Sequence, residues 1–523
     1  MQQKSTASLF SAWPRVQALW NFVRPQRVHL AALVVGGLGV MGFAPFGYAP
    51  VMLLSLTVLF AFWWRAPNPV SSAKLGLWYG LGFFGVGASW LFSSIYFYAE
   101  VLLPLALLLT LAWVLYLTLF IVAASWVAGH LKRTPALTLL GIFPALWVLF
   151  ELFRGWLFGG FPFLLSGVSH LHTWLDGYAP VLGVWGLSWA LALTAGALLL
   201  LWQTRAWLLG SVLVVSVWLG GLGLQQVQWV TPNGKPVDIA LLQGNIPQEQ
   251  KWQADMFGPT MERYIQMTRL NLDAEVIVWP ETAIPAYYDV VEKGALKTFI
   301  ADAQLLQKDI LVGVIAGGPR SENYYNALIN LKDPQQRYYK HHLVPFSEYF
   351  PFDGAFRFLS SVFSIPYATF SAGSPEQPPM TLGGRQVGLS ICFEMAFGEE
   401  LARQLPQAEY LITVSNDAWF AHTLEPAQQV QDVQMRALEL GREIARATNT
   451  GYTLVAGVDG QIKAQIPVYQ QGVLRTQVQP YQGLTPYAQW RQLPILLALL
   501  LSLGLALLLA RRHDARSDAS HVA

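Results

Sequence analysis

The chain contains one cysteine, Cys392, at the end of the apolar run Gln386-Val-Gly-Leu-Ser-Ile-Cys-Phe-Glu. One thiol cannot close an intrachain disulfide, so Cys392 is either a small buried hydrophobe or a reactive nucleophile. Two other β-like runs end in residues of compatible chemistry. One is Trp279-Pro280-Glu281-Thr282; the other is Tyr339-Lys340-His341-His342, followed by Pro345-Phe346-Ser347-Glu348-Tyr349. A free thiol has a pKa of about 8.5 and is mostly protonated at neutral pH. Glu281 could take its proton as the sulfur attacks a carbonyl. The resulting oxyanion could be held by the Lys340 ammonium and the backbone N–H of Phe393 until a thioester forms. Each run alone is a weak signal, because many strands end in an acid, a lysine or a cysteine.

His341 and His342 are a rival base or metal pair. Successive strand side chains point to opposite faces, so joint ligation is awkward and packing or solvation suits them better. No zinc-type spacing and no glycine-rich phosphate loop occurs, and neither a metal nor another cofactor is expected.

The three runs lie where short β-branched segments alternate with helical ones. Strands are expected at 237–242, 276–279, 310–315, 327–331, 337–339, 387–391, 411–415 and 453–457, and helices at 257–272, 294–307, 399–404 and 425–447. This alternation predicts an α/β domain with catalytic groups where strand ends meet loops.

The rest of the chain reads as membrane. Of 523 residues, 54% are apolar and 12% charged, far from the balance of soluble domains. Seven spans are expected, near 28–44, 51–64, 75–92, 101–128, 136–153, 178–202 and 206–224, and an eighth at 493–510. Residues 225–492 carry 20 Lys and Arg against 26 Asp and Glu, a net −6, which leaves 13 basic and 5 acidic residues elsewhere. An acidic domain argues against nucleic-acid binding. The basic residues, such as Arg65, Lys74, Lys132, Arg133, Arg511 and Arg512, fall on one side of the spans. The loops 45–50 and 93–100 have none, which predicts an inside amino terminus and an outside polar domain. The long polar lead favours an uncleaved first span over a signal peptide. Residues 159–170 mix glycine, aromatic and polar types too closely for a lipid-facing helix; they are either a re-entrant or surface-lying arm or an ordinary external loop. Glu151 and Arg154 read as a pair or as headgroup contacts.

Trp279-Pro280-Glu281, Lys340 with Pro345-Phe346-Ser347-Glu348-Tyr349, and Cys392-Phe393-Glu394 resemble the Glu-Lys-Cys triad of the nitrilase superfamily, which implies an αββα sandwich. With seven spans before that domain and one after it, the chain resembles the bacterial apolipoprotein N-acyltransferases, membrane members of the superfamily. Asn416-Asp417-Ala418-Trp419-Phe420 and Arg446-Ala447-Thr448-Asn449-Thr450-Gly451 match as well. The pattern is departed from at Phe393, where tyrosine is usual, at Ser347 and Ala421, where glycine is, and at Phe163 and Val168, where tryptophan and tyrosine are.

The resemblance implies a seven-helix membrane domain over 1–224, a periplasmic catalytic domain over 225–492, and an eighth helix with a cytoplasmic tail over 493–523, in a bacterial inner membrane. It makes Glu281 the general base, Lys340 the oxyanion stabiliser and Cys392 the nucleophile. Glu348 would orient Lys340 or share proton transfer, with Phe393 and Glu394 in support. Phe346, Tyr349, Trp419 and Phe420 would touch lipid, and the aromatic stretch 344–370 would form a lid. A membrane phospholipid would acylate Cys392, and the α-amine of a diacylated apolipoprotein would then take the acyl chain. The chain is taken as a monomer. Two alternatives stay open: a membrane-tethered carbon-nitrogen hydrolase, and a non-catalytic lipid-binding or transport protein. One anchor would tether a hydrolase, and a transporter would carry more charge within its spans.

Overall fold

A computed structural model describes residues 13–99, 101–203, 207–349, 369–420 and 422–522. Each of the eight apolar runs is helical. Among the described residues, five helices are long and apolar enough to cross a membrane: Leu103–Leu131, Pro135–Arg154, Trp174–Trp202, Trp207–Gln225 and Leu493–Ala510. The third run, Pro69–Gly87 with Leu91–Tyr98, passes the same test only as a pair bent by 57°. The first two, Gln26–Gly42 and Ala49–Arg65, are shorter apolar helices. Asn68 starts the third run by accepting a 2.8 Å bond from Ser71 N, with Pro69 in the first helical position. A Cβ on Gly36 would strike the Tyr79 carbonyl and one on Gly82 the Leu33 carbonyl, so the first and third helices cross backbone to backbone.

The irregular segment after Arg154 is not an exposed loop. It forms short 3₁₀ turns at Leu157–Gly159, Ser166–His170 and Trp174–Tyr178, and residues 160–171 are buried throughout. Arg154 Nη1 donates to the carbonyls of Phe161 (2.7 Å) and Phe163 (2.6 Å), and Glu151 accepts from Ser166 N at 2.8 Å. The expected mutual pair or headgroup contact is therefore replaced by another use. Both charges satisfy backbone groups that a helix would have paired internally.

Beyond Gln225 the chain turns to strands. β1 (Thr231–Pro232) stands apart, while β2 (Val237–Gln243), β3 (Val276–Val278), β4 (Ile284–Tyr287), β5 (Asp309–Ala316), β6 (Tyr325–Asn330) and β7 (Arg337–Tyr339) belong to one sheet. A second sheet holds β8 (Met380–Leu382), β9 (Arg385–Ile391), β10 (Tyr410–Ser415), β11 (Ile444–Thr448), β12 (Leu454–Ala456) and β13 (Ile462–Gln465), neighbours in that order. β14 (Gly472–Val478) completes the first sheet beside β2, and β15 (Tyr481–Gln482) pairs with β1. β2, β3 and β5 run parallel, as do β9, β10 and β11.

The two sheets share one apolar core, with Ile239, Leu241, Val278 and Leu311 from the first and Leu389, Ile391, Ile412 and Val414 from the second. Helices Phe257–Arg269 and Lys297–Leu305 cover the outer face of the first sheet, and Glu425–Leu440 that of the second. Burial on both faces explains why the parallel strands read as unbroken apolar runs. The helix expected over 425–447 stops at Leu440, because Gly441 adopts a left-handed C-cap (φ 62°). The following residues become β11.

Helix Glu425–Leu440 is buried on both sides, since it also packs against the membrane helix Ala179–Gln203. Gln428 accepts from Trp90 Nε1 (3.1 Å) and donates to the Gly87 carbonyl (3.0 Å), and Gln431 accepts from Ala44 N (2.8 Å). Helix Ala179–Gln203 breaks at Gly183 (φ 69°), which frees the N–H of Val184. Glu439 accepts that N–H at 2.5 Å while pairing with Arg436 at 2.8 Å, so an acid of the strand-bearing part caps an apolar helix. Glu439→Ala leaves the Val184 N–H without an acceptor and Arg436 buried without its carboxylate, with the Ala396 carbonyl as its remaining partner. It should cost about 3–5 kcal/mol, read as a lower unfolding midpoint in detergent, with Glu439→Gln retaining part of the loss.

Candidate active site

Glu281, Lys340 and Cys392 lie just past the ends of β3, β7 and β9, and the fold brings all three together. Lys340, 1% exposed, places its Nζ 2.9 and 2.8 Å from the two oxygens of Glu348 and 3.8 Å from Glu281 Oε1. Asn326, on β6, donates to Glu281 (2.7 Å) and Glu348 (3.2 Å), tying the two carboxylates to one amide. The other Glu281 oxygen accepts from Asn416 N at 2.9 Å, just past β10. Burial opposes the charge of Lys340, but Glu348 and Glu281 outweigh it and hold the ammonium above the ordinary lysine range. At Cys392, burial pushes the thiol well above its usual range and the Glu281 charge adds to this, against a smaller pull from Lys340. The resting sulfur is protonated. Glu281 is the carboxylate close enough to act on it.

Cys392 occupies the left-handed region (φ 56°) as β9 passes into the 3₁₀ turn Cys392–Ala396. A residue without glycine's freedom is held in that region only when its surroundings over-determine it. Glu394 supplies much of the constraint. Its carboxylate accepts from Ile391 N (2.7 Å), the Tyr338 hydroxyl (2.9 Å), His341 N (2.6 Å) and His342 N (3.1 Å). The loop after Lys340 is thereby clamped to the turn carrying Cys392. Phe393 lies in the first turn of the 3₁₀ helix, where amides have no partner within the helix, so its N–H suits an oxyanion.

The histidines are structural. His341 Nδ1 lies 3.0 Å from the Gly373 carbonyl; His342 sits between Glu400 Oε1 (3.0 Å) and the Gly159 carbonyl (2.8 Å), stacked on Phe397. Among the described residues no group of three His, Cys, Asp or Glu could hold a metal ion.

Three of the aromatic candidates meet the helical part of the chain. Phe420 meets Trp90 edge-on at 5.0 Å, and Trp419, 37% exposed, meets Tyr98 at 5.7 Å. Phe346 is 59% exposed, and the Tyr349 hydroxyl rests against Gly159, where a Cβ would lie 3.0 Å away. Of the expected lid, residues 350–368 lie outside the described residues, as does Ala421. Two family departures touch each other: Phe393 and Phe163 stack at 6.1 Å.

Six further residues of the site carry no motif that assigns them a role. Asn326 sits mid-strand with no distinguishing pattern. The Asn416 amide acts through the backbone, which no side-chain motif reports. Ser415 donates to Asp417 at 2.5 Å, and Asp417 is held by Arg446 at 2.9 and 2.8 Å; the matching runs around Asn416 and Arg446 were the available signal. Lys251, buried against Glu281, carried no signal at all.

A strand-end cysteine facing a glutamate and a lysine, between sheets covered by helices, defines a carbon-nitrogen hydrolase site, and residues 238–487 match the carbon-nitrogen hydrolase model. Residues 35–197 match the N-terminal domain of apolipoprotein N-acyltransferase. The chain is 42% identical to the apolipoprotein N-acyltransferase of Methylococcus capsulatus, over 89% of this chain and 93% of that one. It is 39% identical to that of Nitrosomonas europaea (88% and 93%) and 38% identical to that of Pseudomonas syringae (92% and 97%). It belongs to the apolipoprotein N-acyltransferase family and is an N-acyltransferase.

The Glu394 clamp can be tested directly. Glu394→Gln offers one acceptor oxygen where four donors converge, and each orphaned donor should cost about 1–3 kcal/mol. A lower unfolding midpoint together with slower acylation of Cys392 is the expected result.

Proposed function

We propose that the chain moves an acyl chain from a membrane phospholipid to the N-terminal amine of a diacylated apolipoprotein, through a thioester on Cys392. The observation that carries this reading is the Glu281–Lys340–Cys392 cluster set directly against a membrane helix bundle. His342 reaches the Gly159 carbonyl, and Phe393 stacks on Phe163, both from the arm of that bundle.

In the first half-reaction Glu281 takes the Cys392 proton as the sulfur attacks the ester carbonyl. Lys340 and the Phe393 N–H hold the oxyanion. Collapse breaks the ester C–O bond, the leaving alkoxide takes the proton from Glu281, and a lysophospholipid departs. In the second, the acceptor amine attacks the thioester, Glu281 takes a proton from nitrogen, and the departing sulfur recovers it. Glu348 keeps Lys340 charged and aimed throughout. Thioester to amide is downhill, so no nucleotide is needed.

The membrane unit fits this chemistry because both substrates are lipids. A soluble enzyme would have to extract an acyl chain at about 0.8 kcal/mol per CH₂. In this reading all eight apolar helices cross the bacterial inner membrane, with the bent and shorter ones completed by packing. Residues 1–224 form the seven-helix domain, 225–492 a periplasmic αββα sandwich, and 493–523 the last span and cytoplasmic tail. The one-sided basic residues support this orientation. Phe346, Tyr349, Trp419 and Phe420 guide acyl chains to the thiol, and the chain works as a monomer.

Intact-mass measurement after incubation with phospholipid should show one acyl adduct, removed by hydroxylamine and absent in Cys392→Ala. Adding a diacylated lipopeptide should discharge the adduct into a new amide. Release of free fatty acid instead would identify a hydrolase, and no adduct at all would refute the thioester route.

A further inference from the structure

Lys251 is a buried lysine without an acid. It closes the short helix Gln248–Lys251, is 3% exposed, and has its Nζ 3.4 Å from the backbone carbonyl of Glu281. Among the described residues no carboxylate lies within ion-pair distance of it. The next residue, Trp252, is 53% exposed, so the backbone could have turned the lysine outward at little cost. Buried ammonium groups are expensive unless paired, and this one sits beside the proposed base. The same short helix touches the site a second time, where Gln248 Oε1 accepts from Asn416 Nδ2 at 2.8 Å and the Asn416 N–H holds Glu281.

The charges around Glu281 give the lysine a role. From the end of β7 comes Lys340, from the 344–349 loop Glu348, from the turn after β9 Cys392, and from helix Gln248–Lys251 the Lys251 ammonium; Asn326 and Asn416 are neutral. Lys340 is chelated by Glu348 at 2.8–2.9 Å and stands 3.8 Å from Glu281, so its charge is largely spent on Glu348. Glu394, beyond Lys340, is met by four donors of its own and Asp417 by Arg446; among the groups around Glu281 itself, with Glu281 and Glu348 ionised and only Lys340 positive, the net charge would be −1. Lys251 brings it to zero.

We propose that Lys251 is a positioning residue that acts through Glu281. Its ammonium supplies the second positive charge of the site and keeps the carboxylate ionised, ready to accept the Cys392 proton. This rests on the reading of Glu281 as the base. Burial lowers Lys251 to about 8, with Glu281 pulling the other way, so the ammonium stays charged throughout the acidic and neutral range in which a carboxylate takes up its proton.

The test is the rate of Cys392 acylation by phosphatidylethanolamine in detergent, quenched and read by intact mass between pH 5 and 10. Lys251→Gln keeps a donor for the Glu281 carbonyl but removes the charge. Its acidic limb should move up by about one pH unit, with acylation near pH 6 about tenfold slower. Lys251→Arg, which keeps the charge, should retain the wild-type acidic limb. If Lys251→Gln loses its wild-type unfolding midpoint, Lys251→Met provides the second neutral variant. A neutral variant whose profile overlays wild type, or is lowered equally at every pH, overturns the proposal. Glu281→Gln in the same assay separates the two claims. If it acylates at the wild-type rate, the base reading fails; if it is silent while the neutral Lys251 variants overlay wild type, only the role of Lys251 fails.

Discussion

A buried ammonium must have negative charge within hydrogen-bond reach, and Lys340 imposes that requirement on its surroundings. Its side chain is 1% exposed, so Glu348 must fold back onto it, which brings the 344–349 loop over the end of β7. Glu348 is anchored in turn by Val344 N at 2.8 Å and shares Asn326 with Glu281. Each carboxylate is thus placed by the same few donors. The thiol then faces a fixed carboxylate and a fixed cation, and burial together with the Glu281 charge raises its own proton affinity.

The same logic ties the two units of the chain together. Polar groups freed by breaks in the membrane helices find partners on the catalytic unit: Val184 N–H at Glu439, Ala44 N–H at Gln431, the Gly87 carbonyl at Gln428. A helix with so many buried glutamines and acids would be a poor core element if it faced only a sheet. Against interrupted membrane helices each polar side chain has a backbone group to satisfy. Accurate seating of the thiol relative to the apolar helices follows from these bonds, because each one fixes a point of contact in three dimensions.

Much of this was readable from residue order alone. The buried parallel strands announce themselves as β-branched runs, and Glu281, Lys340 and Cys392 stand at their ends. Strands β4, β8 and β13 were missed because they are short or lie at edges with little apolar periodicity. β11 was absorbed into the preceding helix, since Ile-Ala-Arg-Ala-Thr follows a good helix former and only the left-handed Gly441 divides them. The charges of Glu151 and Arg154 were assigned to lipid or to each other; backbone carbonyls 7 to 10 residues away claimed the arginine instead, a contact that depends on how the arm folds. Asn326 and Lys251 escaped for a related reason. Their roles come from what lies across a strand or a turn, and neither has a pattern in sequence.

The contact between Phe393 and Phe163 bears on how the proposed thioester survives. Here two plain phenyl rings, with no polar edge, stack nearly parallel, at an interplanar angle of 10°. Phe397 meets Phe393 edge-on at 5.0 Å, and Phe161 and Trp90 continue the aromatic wall from Phe163. The nucleophile's flank on the membrane side therefore offers water few hydrogen-bonding groups. If the proposed thioester forms there, a lipid-borne amine reaches it more easily than solvent does, which would favour transfer over hydrolysis on the same three residues.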